Sequence, residues 1–161
     1  MVQRIQTLYL FLASTALALM FFLPIYNFVE RTNDNTEKEV KITIQGRFEK
    51  DPSTGDFVIS KPNWARSLMT MIVGMGLFVN IFQYTNRKRQ LLISRILIIA
   101  NFALMGIMLY DAYGIVNGEG ATQIITGYAV FMPTISVILT ALAARAIKKD
   151  EELVRSADRL R

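Results

Sequence analysis

Apolar residues gather along the chain into four long blocks, Leu8 to Val29, Trp64 to Tyr84, Leu91 to Tyr110 and Ile124 to Ala144. Each block holds about 20 residues, which at roughly 1.5 Å per residue reaches about 30 Å, the thickness of a bilayer's hydrocarbon core. Buried helices of soluble domains are seldom so uniformly apolar, so the pattern predicts four transmembrane helices. Ala16-Leu17-Ala18 has the small-x-small form of a signal-peptide cleavage site. The apolar run continues past it through Met20-Phe21-Phe22-Leu23, so the first helix is expected to be retained.

Between the first two blocks the period changes from helical to alternating. Val40, Ile42 and Ile44 alternate with Lys41, Thr43 and Gln45, Phe48 follows after Gly46, which offers a place for a bulge, and Phe57-Val58-Ile59 follows the turn-forming run Asp51 to Asp56. This predicts a β-hairpin. A lone hairpin is marginal in water, so it either caps the helix ends or meets another protein. The expected fold is an all-α membrane protein: one domain over 1–161, a four-transmembrane-helix bundle with a small extracytoplasmic β-hairpin in the first loop. The tail 145–161 has no Gly or Pro and should continue the last helix.

Composition agrees with the pattern: 52% of residues are hydrophobic and 19% charged, too few charges to cover a soluble domain of this size. The net charge of +5 reads as a topology signal and not as a nucleic-acid footprint. Asn86-Arg87-Lys88-Arg89-Gln90 and the tail are rich in cations, whereas the first and third connections are balanced or acidic. Positive flanks stay on the cytoplasmic side, so both termini are expected inside a bacterial inner membrane, multi-pass, with the long loop outside.

The absence of Cys and His removes thiol and imidazole chemistry, including most catalytic and metal sites. Asp34, Glu37 and Glu39 lack the spacing of a divalent-ion loop. No nucleophile motif or acid pair stands out, so neither enzymatic activity nor a cofactor is expected.

Polar groups inside the spans are the candidates for function. Arg66 and Asp111 fall at a similar depth near the outer helix ends and are placed to pair; Asn80, Gln83 and Arg95 fall together near the inner end, although Arg95 is equally placed to reach lipid phosphates. Asn101 lies near mid-bilayer, with Thr134, Ser136 and Thr140 as expected partners across the helix interface. Pro133 falls midway along the fourth block and is expected to kink it, while Gly74, Gly76, Gly106 and Gly127 permit close helix contact. On the inner side, Arg87, Lys88, Arg89, Lys148, Lys149, Leu153, Arg155 and Leu160 form a candidate cytoplasmic contact surface.

The opening Met1-Val2-Gln3-Arg4-Ile5-Gln6-Thr7, the segment Asn86 to Gln90, and the tail from Arg145 to Arg161 resemble those of an uncharacterised family of small bacterial integral membrane proteins with four predicted spans. The resemblance implies no catalytic or binding residue. Some relatives carry the label of transcription terminator Rho, but this chain has no Gly-x-x-x-x-Gly-Lys-Ser/Thr phosphate loop. The expected function is that of a non-enzymatic accessory or scaffold subunit of a larger membrane complex. The lipid bilayer and a membrane-protein partner or second copy are its expected contacts, and nucleic acid is not. The alternative is a small oligomeric transporter or channel, which the lack of an acid within the four blocks disfavours.

Overall fold

The computed structural model describes residues 2–31, 37–118 and 121–159. The chain leaves the expected course at Pro24. Helix α1 (Val2–Leu19) ends before it, and Met20 to Leu23 close single turns onto carbonyls of the last helical residues. A proline has no N–H to donate and its ring collides with the carbonyl four residues back, so the helix cannot pass through. Residues beyond it form strand β1 (Tyr26–Arg31), in which Tyr26 and Phe28 are buried and Asn27 and Val29 are less so. Hydropathy alone had merged this alternating segment with the helix before it.

Three further strands follow, β2 (Glu37–Thr43), β3 (Gly46–Lys50) and β4 (Phe57–Pro62). Then come α2 (Trp64–Ile81), a 3-10 turn over Phe82–Thr85, α3 (Arg87–Gly118), strand β5 (Ala121–Thr126), a second 3-10 turn over Tyr128–Phe131, and α4 (Met132–Arg159). The strands make one antiparallel sheet in the order β4-β3-β2-β1-β5. The fold is therefore not all-α: among the described residues four helices carry a five-stranded sheet.

The expected hairpin is corrected in the same way. The run Val40 to Ile44 does not pair with Phe57 to Ile59; β2 turns at Ile44-Gln45 into β3, which pairs with β4 across the 51–56 turn. The irregularity expected at Gly46 falls between Arg47 and Phe48.

At the other edge, β5 takes Ile124 to Thr126 out of the expected fourth span. Helix α4 starts at Met132, which puts Pro133 in its first turn, where a missing N–H costs no helical bond. The expected kink has no basis there. Gly127 makes the junction between sheet and helix: its N–H donates to the Ile25 carbonyl at 2.8 Å, and a Cβ at this position would lie 2.1 Å from the Pro24 oxygen. Only a residue without a side chain lets the two backbones come so close.

Helix α1 packs beside α2 and α4, and α3 packs beside the same two. Among the described residues three segments, Trp64–Thr85, Arg87–Asn117 and Tyr128–Val154, are long and apolar enough to cross a membrane, in place of the four expected; α1 contributes a shorter apolar stretch, Ile5–Leu19. The bundle is apolar outside and partly polar inside. Ile72 and Ile99 are 61% and 69% exposed, while Asn80, Ser94, Asn101, Ser136 and Thr140 are buried. That is the arrangement a hydrocarbon solvent selects, and this is a membrane protein. One apolar core runs from Leu10, Leu77 and Leu104 in the bundle to Tyr26, Phe28, Val40 and Ile42 in the sheet.

Candidate functional site

The sheet is fixed to the bundle at Arg66. Asn63 caps α2, its side-chain oxygen accepting the Arg66 N–H at 3.1 Å, and this sets the first turn so that the Arg66 side chain points under the sheet. The guanidinium is buried, 3% exposed. Its Nη2 donates to the Thr43 carbonyl at 2.6 Å and its Nε to the Ile44 carbonyl at 3.3 Å; Nη1 pairs with the Asp111 carboxylate on α3. Ser67 adds a bond from its hydroxyl to the same Ile44 carbonyl at 2.9 Å. One cation thus joins α2, α3 and the β2–β3 turn. Its planar fork of donors suits three partners in different directions, which a lysine cannot match.

Around this clamp lies a cleft of about 480 Å³ lined by Arg47, Lys61, Arg66 and Asp111 with Gly46 and Gly114. Arg47 is itself paired, with Glu49 at 3.1 Å and with Glu30, and its guanidinium lies over the Phe28 ring. Two of the three cations, Arg47 and Arg66, are thus met by carboxylates, which offsets much of the positive charge of the lining. Tyr26 sits beside the clamp; burial raises its phenol above the ordinary value, and the Asp111 charge adds to that against the opposing pull of Arg66. Among the described residues no group of three acids gathers that could hold a metal ion; Asp34 lies outside the described residues.

At the opposite end of the bundle the residues sort differently from expectation. Asn80 bonds neither Gln83 nor Arg95. Its amide donates to Ser94 Oγ at 2.8 Å and to the Gln90 carbonyl at 3.3 Å, and Gln90 returns a bond to the Asn80 carbonyl at 3.1 Å. Gln83 lies half-buried in the 3-10 turn and Arg95 is exposed on the outer face of α3. The spacing of Gln90, Ser94 and Asn101 on one helical face was the available signal for this side of α3. Asn101 is fully buried but donates to the Leu97 carbonyl of its own helix at 3.1 Å, in place of the expected bond across to α4. Thr134 is exposed, and Thr140 donates to the Ser136 carbonyl. Gly106, expected at a helix contact, faces open space.

The model of the Domain of unknown function family DUF4293 matches residues 2–160. The chain belongs to this family. A comparison with curated proteins found no match.

The described parts of the three segments on which the resemblance rests lie at the end of this DUF4293 protein opposite the sheet. Asn86 caps α3 by accepting the Arg89 N–H at 3.3 Å, and Arg87 forms an ion pair with Asp150 at 3.1 Å, joining the second connection to the tail helix. Lys88, Arg89, Lys148 and Lys149 are exposed, with Lys148 reaching Glu152 at 3.8 Å. Ile147 is buried, whereas Leu153 is 53% exposed. Arg155 lies on the helical backbone of α4, and Leu160 lies outside the described residues.

Proposed function

We propose that this chain is a non-enzymatic accessory or scaffold subunit of a bacterial inner-membrane assembly, presenting its sheet to a partner outside the cytoplasm. The three-point hold of Arg66 on the β2–β3 turn and Asp111, to which Ser67 adds a bond, carries this reading. A sheet that served only to link helices would not need a buried cation to fix its orientation.

Strand β4 supports it from the other side. It forms one edge of the sheet, and Phe57, Val58 and Ile59 are each at least 42% exposed. The cations Arg87, Lys88, Arg89, Lys148 and Lys149 gather at the opposite end, which favours both termini in the cytoplasm and β4 outside. Placing a photo-crosslinking residue at Phe57 or Ile59 in intact cells tests the proposal. Crosslinks to a discrete protein that vanish when Arg66 is replaced support it; crosslinks to lipid alone remove it.

A further inference from the structure

Besides Asp150, which faces Arg87, five buried side chains among the described residues have a polar atom with no hydrogen-bond partner in the protein. These are Gln6 Nε2, Asn80 Oδ1, Gln90 Oε1, Asn101 Oδ1 and Ser136 Oγ, none on a residue more than 5% exposed. A buried polar atom without a partner is costly, and an ordered water is one way such an atom is satisfied.

Their positions are related. The Ser14 hydroxyl donates to the Gly74 carbonyl at 3.1 Å and so sets α1 against α2. From that bond, Gln6 and Asn80 lie eight and six residues toward the end opposite the sheet, at nearly one level. Gln90 is bonded to Asn80 and shares that level. On the other side, the Arg87–Asp150 pair sets α3 against α4, and Asn101 and Ser136 each stand fourteen residues from it. At 1.5 Å per residue both are about 21 Å up the bundle and face one another in height. Ser94, Ala143 and Thr140, all buried and small or hydroxyl-bearing, share the interval between the two levels along α3 and α4 with Leu97. Leu10 and Leu77 fill the α1–α2 side. Beyond Asn101, toward the sheet, the interior changes to Leu104, Met108, Leu17 and Met20.

The five atoms include three carbonyl acceptors, one amide donor and one hydroxyl, with no charge among them. A small neutral molecule that both donates and accepts fits this set, and a water bonded by two to four such groups is stable in a protein interior. We propose that water enters the bundle from the end opposite the sheet, is held by Gln6, Asn80, Gln90, Asn101 and Ser136, and stops below Leu104 and Met108. The protein then contains a hydrated half-passage ending near mid-bilayer. This rests on the helix interior and stands or falls apart from the role proposed for the sheet.

The chain has no cysteine, so single cysteines report without background. Thiols react with methanethiosulfonate ethylammonium as thiolates, which form in contact with water and are suppressed in apolar surroundings. In native membranes, Ser136→Cys is expected to react about tenfold or more faster than Leu104→Cys, one turn beyond Asn101. Equal or slower reaction at Ser136→Cys overturns the proposal. Should Ser136→Cys not elute as native protein, Ser94→Cys is read against Leu104→Cys on the same terms, and equal rates there overturn it as well.

Discussion

The guanidinium of Arg66, in the first turn of α2, pairs with the carboxylate of Asp111 near the far end of α3 while its other nitrogens hold the carbonyls of Thr43 and Ile44. The two residues are 45 positions apart in sequence, and their contact places the sheet on the bundle. Without Asp111 the cation would remain buried and uncompensated. Removing one member of such a pair costs about 3–5 kcal/mol.

Arg66→Ala and Asp111→Asn are each expected to lower stability by about that amount, and Arg66→Lys by nearly as much, because an ammonium cannot serve three diverging acceptors. Thermal unfolding in mild detergent measures it. A loss below about 1 kcal/mol for Arg66→Ala would show that the sheet is held elsewhere.

Gly127→Ala places a methyl 2.1 Å from the Pro24 oxygen. Because the obstacle is backbone, relief requires β5 to move from the start of β1 and stretch the Gly127–Ile25 bond. Overpacking of this kind costs about 1–3 kcal/mol, and amide exchange at Gly127 is expected to accelerate with it. Gly106→Ala, facing open space on α3, is expected to be neutral or slightly stabilising and serves as the control.

Tyr26 titrates above its ordinary value of 10.0, first because it is buried and second because of the Asp111 charge. Folding therefore favours the neutral phenol. Its contribution is complete below pH 10 and is lost as the pH rises through the higher folded value. In wild-type protein Tyr26 should ionise in a late phase above pH 10, absent from Tyr26→Phe. Asp111→Asn should draw that phase toward lower pH. Tyrosinate absorbance against pH reads all three, and an unchanged late phase in Tyr26→Phe would assign it to another residue.

The Arg87–Asp150 pair is partly solvated, with side chains 26% and 15% exposed. Its coupling is expected at about 0.5–1 kcal/mol in a double-mutant cycle and should weaken with salt. The exchanged pair Arg87→Asp with Asp150→Arg should recover part of what either single change loses. No coupling in the cycle would detach the second connection from the tail helix.

Helices α2, α3 and α4 were legible because each places a long apolar run at a constant helical period, and lipid accepts such a run whatever surrounds it. The similar depth of Arg66 and Asp111 was legible too, since two charges near one end of adjacent spans have few other partners. The Thr43 and Ile44 carbonyls were not, because backbone acceptors leave no mark in side-chain chemistry. The partners of Asn80 were missed for a related reason. Helical rotation, not depth, turns Gln90 and Ser94 inward and Arg95 outward, and rotation is fixed by the neighbouring helices.

Strands β1 and β5 show where local pattern ends. Tyr26 to Val29 and Ile124 to Thr126 are apolar enough to extend a span, and hydropathy assigns them to one. Their neighbours decided otherwise: Pro24 closes α1, Gly127 admits the Pro24 carbonyl, and β1 finds β2 on one side and β5 on the other. By itself the sequence determined the solvent, because hydrophobic content and length act residue by residue. Whether an apolar segment becomes helix in lipid or strand in a sheet was decided only in three dimensions, because a strand's hydrogen bonds must be supplied by residues far away in the chain.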